Sequence, residues 1–188
     1  QVRIEYKGEV WCISGDYKVD SDGVSAPFES VKCHHFLTES TFGLPVFKWQ
    51  SQAEVMSQIN SWWSANAANN VTSVICAYSL GKAQRVINHV DHNIGPIYTH
   101  GAVENTNEVL RAAGQRIADT RRVTDEIQKS DYNKGLVVTT PSSLGTSWLK
   151  RFGTHRTAMA SGWMMLRGTR RRMNVDRGFV LSDHADWY

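Results

Sequence analysis

The feature that most constrains the fold is an alternation of helix-like and strand-like segments between residue 51 and about residue 165. It begins with Ser51 and, three residues later, Glu54, which together form the pattern of a helix capping box. The next segment, VTSVICAYSL, is almost continuously apolar, as is typical of a strand buried on both faces of a sheet. Further helix and strand patterns alternate after it. This arrangement predicts an α/β fold in which a parallel sheet is flanked by helices.

The segments on either side of this alternation have a different pattern. Residues 2–15 predict a β-hairpin with its turn at KGE, and VKCHHFLTE predicts a strand that ends at Glu39. GFVLSDHADW predicts a last strand and its exit. We therefore expect antiparallel strands before residue 47 and after residue 174. The polar stretch that precedes NKGLVVTTPSSL is expected to be helical.

The composition is that of an ordinary globular protein. The 188 residues, of which 41% are hydrophobic and 21% charged, suit one domain or a domain plus a fragment. No apolar stretch approaches the ~20 residues of a membrane span, and the N-terminus lacks a signal-peptide pattern and an initiator Met. Cys12 and Cys76 lie in apolar runs, where a reduced, buried thiol is usual. We expect a cytoplasmic piece of a longer protein that makes no membrane contact.

Three predicted strand exits carry side chains suited to metal binding or proton transfer, namely Asp16 in ISGDY, Glu39 in FLTEST and His184 in VLSDHAD. In layered α/β folds such residues meet at one sheet edge. A carboxylate there can bridge two metal ions, a second can orient a histidine, and a histidine can protonate a leaving oxygen. Taken singly, each residue also suits a turn, a cap or a buried position. Their coincidence at three exits favours a functional site.

A second set of residues is suited to binding phosphate. Three Gly- and Ser-rich turns, YSLGKAQ, TPSSLGTSW and ASGWMM, carry backbone N–H groups that attract anions at a helix start. Lys82 lies beside the first turn, and Ser161 and Gly162 lie in the third. The segment RGTRRRMNVDR holds five arginines, among them Arg170 and Arg171. It predicts either a solvated surface loop or an edge that contacts phosphates.

The positions of the remaining histidines and tryptophans in the sequence indicate structural roles for them. Adjacent residues of a strand point to opposite faces, so His34 and His35 cannot ligate one ion together. His89 and His92 have an i, i+3 spacing that zinc could use, but no third ligand is nearby in sequence. Three tryptophans are interpreted as packing residues, namely Trp62, Trp63 and Trp163. An exposed tryptophan could also stack on a base.

Four segments together resemble a known family. SGDYK, PFESVKCHHFLTESTFGLPVFKW, YSLGKAQRV and LSDHADW are similar to motifs of the bacterial ligase-associated DNA damage response exonucleases, also described as mRNA 3′-end processing exonucleases. This family belongs to the β-CASP group of the metallo-β-lactamase superfamily. The resemblance runs along nearly the whole chain and keeps the family's motif order. It implies a metallo-β-lactamase domain with two zinc ions and an inserted β-CASP lid, with single-stranded nucleic acid passing between them.

The resemblance also implies a division of the chain. Residues 1–46 would be part of the metallo-β-lactamase domain, with an incomplete edge of antiparallel strands. Residues 47–173 would form the β-CASP domain, a Rossmann-like, three-layer α/β/α unit. Residues 174–188 would be the return strand of the metallo-β-lactamase domain.

Three residues receive roles from the resemblance. Asp16 matches the aspartate that bridges both metals, and Glu39 matches the acidic residue of the first β-CASP motif. His184 matches the histidine of the second motif, which assists the leaving group. The family's H-x-H-x-D-H metal motif is absent here, and so is the third β-CASP histidine; His100 in YTHGAV receives no role. Two zinc ions need about eight ligand positions, so we expect this chain alone to bind little or no zinc and to lack activity.

The expected function of the full-length enzyme is zinc-dependent phosphodiester hydrolysis of RNA or single-stranded DNA, in nucleic-acid 3′-end processing or DNA repair, with a functional link to a DNA ligase or helicase. Lys82, Ser161, Gly162, Arg170 and Arg171 are expected to hold the phosphates. The alternative is a non-catalytic nucleic-acid-binding module. A Rossmann-type oxidoreductase is disfavoured because no G-x-G-x-x-G follows the first βα strand. The oligomeric state is left open.

Overall fold

The first of two sheets lies at the N-terminus of the computed structural model, which describes residues 1–187. Strand β1 (Val2–Tyr6) pairs antiparallel with β2 (Glu9–Ile13), as predicted. Strand β3 (His35–Leu37) is shorter than expected and pairs with β2 in parallel, so this sheet is not wholly antiparallel. The physical reason is the long connection from residue 14 to 34, because parallel neighbours need a crossover and not a tight turn.

The second sheet carries the predicted α/β alternation. Its elements are α1 (Gln52–Ala68), β4 (Thr72–Cys76), α2 (Lys82–His89), β5 (Ile97–Thr99), α3 (Gly101–Ala112), β6 (Arg121–Arg122), β7 (Leu136–Thr139), β8 (His155–Ala160), α4 (Arg167–Arg172) and β9 (Arg177–Phe179). The six strands run in the order β6-β5-β7-β4-β8-β9, and each neighbouring pair is parallel. The prediction of a parallel α/β sheet is therefore confirmed. The last strand, β9, was expected to be antiparallel but joins β8 in this parallel sheet.

The two faces of the parallel sheet are covered differently. Helices α1, α2 and α3 pack on one face, where Ile59, Val86 and Val103 meet strand residues such as Ile75 and Val138. Short 3-10 segments and α4 cover the other face; the 3-10 segments are Lys129–Tyr132, Pro141–Ser143, Ser147–Phe152 and Gly162–Met165. Among residues 1–187, no helix is long and apolar enough to cross a membrane.

One local prediction is wrong. The polar stretch after α3 is not a helix, and it contains only the two-residue strand β6 and one 3-10 turn. Side chains bind its backbone groups in place of helical hydrogen bonds. Arg111 donates to the carbonyls of Ile117 and Ala118, and Asn88 accepts the Ala118 N–H at 2.9 Å. These contacts hold the segment extended against α2 and α3.

The first sheet exposes an apolar face. Side chains alternate along a strand, and the register places Val2 opposite Ile13 and Ile4 opposite Trp11. The large apolar side chains on this face are 41 to 69% exposed; they are Val2, Ile4, Tyr6, Trp11, Ile13 and Leu37. A sheet normally buries its apolar face against another layer.

Candidate active site

Asp16, Glu39 and His184 converge at one place, although up to 168 positions separate them in the sequence. Asp16 follows β2, Glu39 follows β3 and His184 follows β9. One ligand atom from each lies within 4.8 Å of the others. His184 Nδ1 is 3.2 Å from Glu39 Oε1, and His184 Nε2 is 3.9 Å from Asp16 Oδ2. The structure therefore brings the three predicted residues together where the two sheets meet.

Glu39 is held as a hydrogen-bond acceptor for His184. Its side chain is 13% exposed, and its Oε2 accepts the Thr41 N–H at 2.7 Å. Burial alone would raise the pKa of Glu39, but hydrogen bonds from Thr41 and His184 outweigh it and hold the pKa below its usual value. Glu39 is thus ionised at neutral pH, and His184 must donate through Nδ1–H. The other ring nitrogen, Nε2, then faces Asp16.

The backbone and ring of His184 are fixed by neighbouring side chains. Trp49 donates its Nε1–H to the His184 carbonyl at 2.9 Å, and the His184 N–H donates to Ser182 Oγ at 3.1 Å. The buried Phe42 ring meets the imidazole edge-on, with 5.4 Å between the ring centres. These contacts leave the imidazole few alternative rotamers.

A cavity of about 570 Å³ lies against His184. Its lining includes two basic residues, Lys18 and Arg85, and two acidic ones, Asp20 and Asp186. The volume falls in the range of small-ligand sites, about 300–1,000 Å³. The site therefore borders a polar space large enough for a small ligand.

The three residues fit part of a metal site. Asp16 has a side chain that is 73% exposed, so its carboxylate is open to an ion. Glu39 and the Nδ1 of His184 are occupied by each other, which leaves one carboxylate and one imidazole nitrogen available. Within residues 1–187 no other group of three metal-type ligands comes together. A zinc ion takes about four ligands, so these donors do not complete a one-zinc or two-zinc centre.

Lys82 is buried and forms an ion pair with Asp183. Its side chain is only 4% exposed, and its ammonium group binds Asp183 Oδ2 at 2.6 Å. The same ammonium lies 5.0 Å from the centre of the Tyr78 ring. A contact from Lys82 to phosphate would first require this ion pair to open.

Ser161 and Gly162 are buried at the exit of β8. Ser161 Oγ accepts the Trp163 N–H at 3.3 Å and so begins the 3-10 turn. A Cβ atom on Gly162 would lie 2.8 Å from Phe42 Cζ and 3.2 Å from Ser182 Cβ. Gly162 therefore allows the turn to pack closely behind Phe42. The following residue, Trp163, is 41% exposed.

Arg170 and Arg171 lie on α4, in which all four arginines are exposed. The helix follows the exit of β8, next to the strand that leads to His184. The structure therefore places these two predicted phosphate-binding residues on an exposed basic helix in the crossover between β8 and β9.

Most of the other histidines bind the backbone, whereas His35 Nε2 binds the Glu9 carboxylate at 2.8 Å. His89 Nε2 is 2.7 Å from the Asp22 carbonyl, and His92 Nε2 is 2.8 Å from the Ile87 carbonyl. His34 Nδ1 accepts the Val10 N–H at 3.0 Å. Their contacts agree with the structural roles predicted for them.

Two residues near the site were missed as functional candidates. Asp183 lies in the segment LSDHADW and Arg85 in YSLGKAQRV, and neither residue is predicted to have a role. Arg85 binds both the Asp183 carboxylate and the Ser182 carbonyl at 2.6 Å. The i, i+3 spacing of Lys82 and Arg85 was an available signal, because it places both cations on one face of a helix.

Sequence comparison finds similarity to a curated protein but to no family model. No family model matches the chain. Over 174 residues the chain is 28% identical to a protein of Opitutus terrae (strain DSM 11246 / JCM 15787 / PB90-1) named "Probable DNA ligase". The match covers 93% of this chain and 17% of that protein. The chain therefore spans about one sixth of the length of the curated relative it matches.

Proposed function

We propose that this chain is part of a metal-dependent nuclease that hydrolyses phosphodiester bonds in RNA or single-stranded DNA. The observation that carries the proposal is the convergence of Asp16, Glu39 and His184 from three separate strand exits. The similarity to a protein named as a DNA ligase supports a role with nucleic acid. The resemblance of the chain to β-CASP exonucleases supports hydrolysis as the reaction.

Each of the three residues has a role that its geometry suits. Asp16 presents an exposed carboxylate that would hold the metal ions. Glu39 accepts a hydrogen bond from His184 Nδ1 and so fixes the imidazole. His184 would donate to the departing ribose oxygen through Nε2 only in its doubly protonated form, because its Nδ1 proton is held by Glu39. Zinc bound at such a site would lower the pKa of a bound water to about 7 and so supply hydroxide at neutral pH.

The site in this chain is proposed to be incomplete. Its three donors do not make up a two-zinc centre, and the first sheet exposes one whole apolar face. Both observations support assigning residues 1–46 to the edge of a larger metallo-β-lactamase domain. In this proposal further polypeptide supplies the missing ligands and covers the apolar face, and residues 47–173 form the β-CASP lid.

Arg170 and Arg171 are proposed to contact the phosphates of a single strand. Both are exposed and arginine offers several donors in a fixed fork to phosphate. In the turn at Ser161 and Gly162, the Ser161 N–H donates to the Phe179 carbonyl and the Trp163 N–H to Ser161 Oγ, so only the Gly162 N–H is proposed to contribute further. Trp163, 41% exposed beside this turn, has the surface needed to stack on a base. We also propose a cytoplasmic location, which the buried, unpaired thiols of Cys12 and Cys76 favour.

A non-catalytic nucleic-acid-binding module is the alternative. The exposed basic helix α4 favours it, because that helix would bind phosphates without any help from Asp16 or His184. The two proposals differ in whether a divalent metal and Asp16 contribute to binding of the strand.

Binding of labelled single-stranded RNA and DNA to this chain tests both proposals. Added in excess, zinc would occupy the partial site at Asp16 and His184 only weakly, and the nuclease proposal expects it to strengthen binding by wild type but not by Asp16→Asn. Asp125→Asn is the matched control, because the Asp125 side chain is 95% exposed and lies outside the site. Arg170→Gln and Arg171→Gln should each reduce the slope of log K against log [salt] by about 0.7. Binding indifferent to zinc and to Asp16 would support the module instead.

Elemental analysis and a cleavage assay test the incompleteness of the site. The isolated chain is expected to retain less than two zinc ions and to leave the oligonucleotides intact. Two tightly held zinc ions per chain, together with cleavage, would show that the chain completes the centre by itself.

A further inference from the structure

Two buried cations on α2 bind the residue that precedes His184. Lys82 and Arg85 lie on one face of the helix and have side chains that are 4% and 3% exposed. Lys82 Nζ binds Asp183 Oδ2 at 2.6 Å, and Arg85 Nη1 binds Asp183 Oδ1 at 2.6 Å. Each oxygen of one carboxylate therefore has its own cation. Charge-assisted hydrogen bonds of this kind are short and directional.

Arg85 also binds the backbone at Ser182, the residue before Asp183. Its Nη1 donates to the Ser182 carbonyl at 2.6 Å, and its Nε donates to Gln52 Oε1 at 3.0 Å. Ser182 in turn accepts the His184 N–H through its Oγ at 3.1 Å. The helix thus fixes both the side chain and the backbone of the two residues before the imidazole.

We infer that Lys82 and Arg85 are positioning residues. Their ion pairs with Asp183 set the backbone at 182–184 so that His184 Nδ1 meets Glu39. The contacts of Lys82, Arg85 and Asp183 are called the α2 clamp. The catalytic meaning of the α2 clamp rests on the proposed function. Its effect on the imidazole can be measured without any reaction.

The energetics favour positioning over stability as the purpose of the α2 clamp. A buried ion pair gains little net stability, because the cost of removing the charges from water offsets their attraction. Apolar side chains could fill the same space at similar or lower free energy. Two buried cations that bind a single carboxylate fix the direction of that carboxylate and of the backbone carrying it. Apolar packing does not do this.

The state of the imidazole can be observed by NMR in the ¹⁵N-labelled chain. The ring signals of His184 are assigned by their loss in His184→Gln. In wild type the ring should be a single tautomer with its proton on Nδ1, donated to Glu39. In Arg85→Gln and Asp183→Asn this Nδ1–H resonance should be lost as the ring averages between both tautomers. Lys82→Arg keeps the charge and should retain the resonance.

Arg111→Gln is the matched control. Arg111 also binds a buried carboxylate from a helix, Glu104, at 2.8 Å, but lies away from the site. Its loss should lower the melting temperature and leave the His184 signal unchanged. If Arg85→Gln fails to fold, Asp183→Asn provides the test of the inference. The Asp183 side chain is 32% exposed, so its replacement disturbs the packing less. Variants that melt lower yet retain the Nδ1–H resonance would reduce the α2 clamp to a structural contact.

The result is separable from that of the proposed function. A wild-type ring without an Nδ1–H resonance would overturn the inference, whatever the chain does with nucleic acid. The His184 Nδ1–H resonance could depend on the α2 clamp while nucleic-acid binding does not depend on zinc or on Asp16. That result would support the inference and contradict the nuclease proposal.

Discussion

Replacing Glu104 by Gln is expected to lower the free energy of unfolding at pH 7 by about 3–5 kcal/mol, because the change leaves a charged partner without its counter-ion. Glu104 is 5% exposed on α3 and accepts hydrogen bonds from Thr99, Thr120 and Arg111. Glutamine has the same shape, so the loss comes from the charge. Arg111 also holds the extended stretch after α3, and that stretch should loosen in the variant.

Urea unfolding followed by circular dichroism measures this effect. Glu108→Gln is the matched control on the same helix, since Glu108 and its partner Arg122 have side chains that are 58% and 38% exposed. Exposed pairs contribute little, so the control should change the free energy of unfolding by less than about 1 kcal/mol. Equal losses in the two variants would contradict the account of the buried network.

The effect of Glu104→Gln should also depend on pH. Burial by itself would raise the pKa of Glu104, but hydrogen bonds from Thr120, Thr99 and Arg111 lower it below its ordinary value of 4.5. A group with a lowered pKa contributes its full stability above the ordinary value and loses it as the pH falls through the folded-state pKa. The difference between wild type and variant should therefore shrink as the pH falls below the ordinary value of 4.5 and through the lowered folded-state pKa. A difference independent of pH would show that the charge is not the cause.

Replacing Trp63 by Ala is expected to destabilise the fold by about 3–5 kcal/mol, through a large cavity under α1. Trp63 is 0% exposed, and its Nε1–H donates to the Lys134 carbonyl at 2.8 Å. The adjacent Trp62 is half-buried and packs on Phe179, with 5.7 Å between ring centres. Trp62→Ala is therefore the comparison, and its cost should be smaller.

The same urea unfolding experiment gives both costs. Trp63→Phe adds a further test, because it keeps an aromatic ring but leaves the Lys134 carbonyl without this donor. This variant should lose less free energy of unfolding than Trp63→Ala, but should still be less stable than wild type. If Trp62→Ala were the more damaging change, the orientation of α1 on the sheet would be wrong.

Local patterns predicted much of the fold. Ser51 and Glu54 form the predicted capping box at the start of α1, because both partners lie within one helical turn. The apolar run at residues 72–76 is the fully buried strand β4. The meeting of Asp16, Glu39 and His184 was predictable because each follows a strand and strand ends gather at sheet edges.

What the sequence did not reveal depends on partners far away along the chain. One example is the contact between the ammonium group of Lys82 and Asp183, which lies 101 positions later in the chain. The stretch after α3 has a helical composition, yet Asn88 and Arg111 hold it extended. The strands β3 and β9 have patterns that do not specify a neighbour, since an isolated three-residue strand pairs as its connections dictate.

The central claim is that Asp16, Glu39 and His184 form one wall of a metal-dependent site. Co²⁺ tests it most directly, because it is paramagnetic and takes nitrogen and oxygen ligands as zinc does. Added in large excess to the labelled chain, so that even the incomplete site is occupied, Co²⁺ should selectively broaden or shift the Asp16 amide and the His184 ring signals. Asp16→Asn should abolish this effect, and Asp125→Asn should not. No local change at His184, or the same change in Asp16→Asn, would contradict the claim.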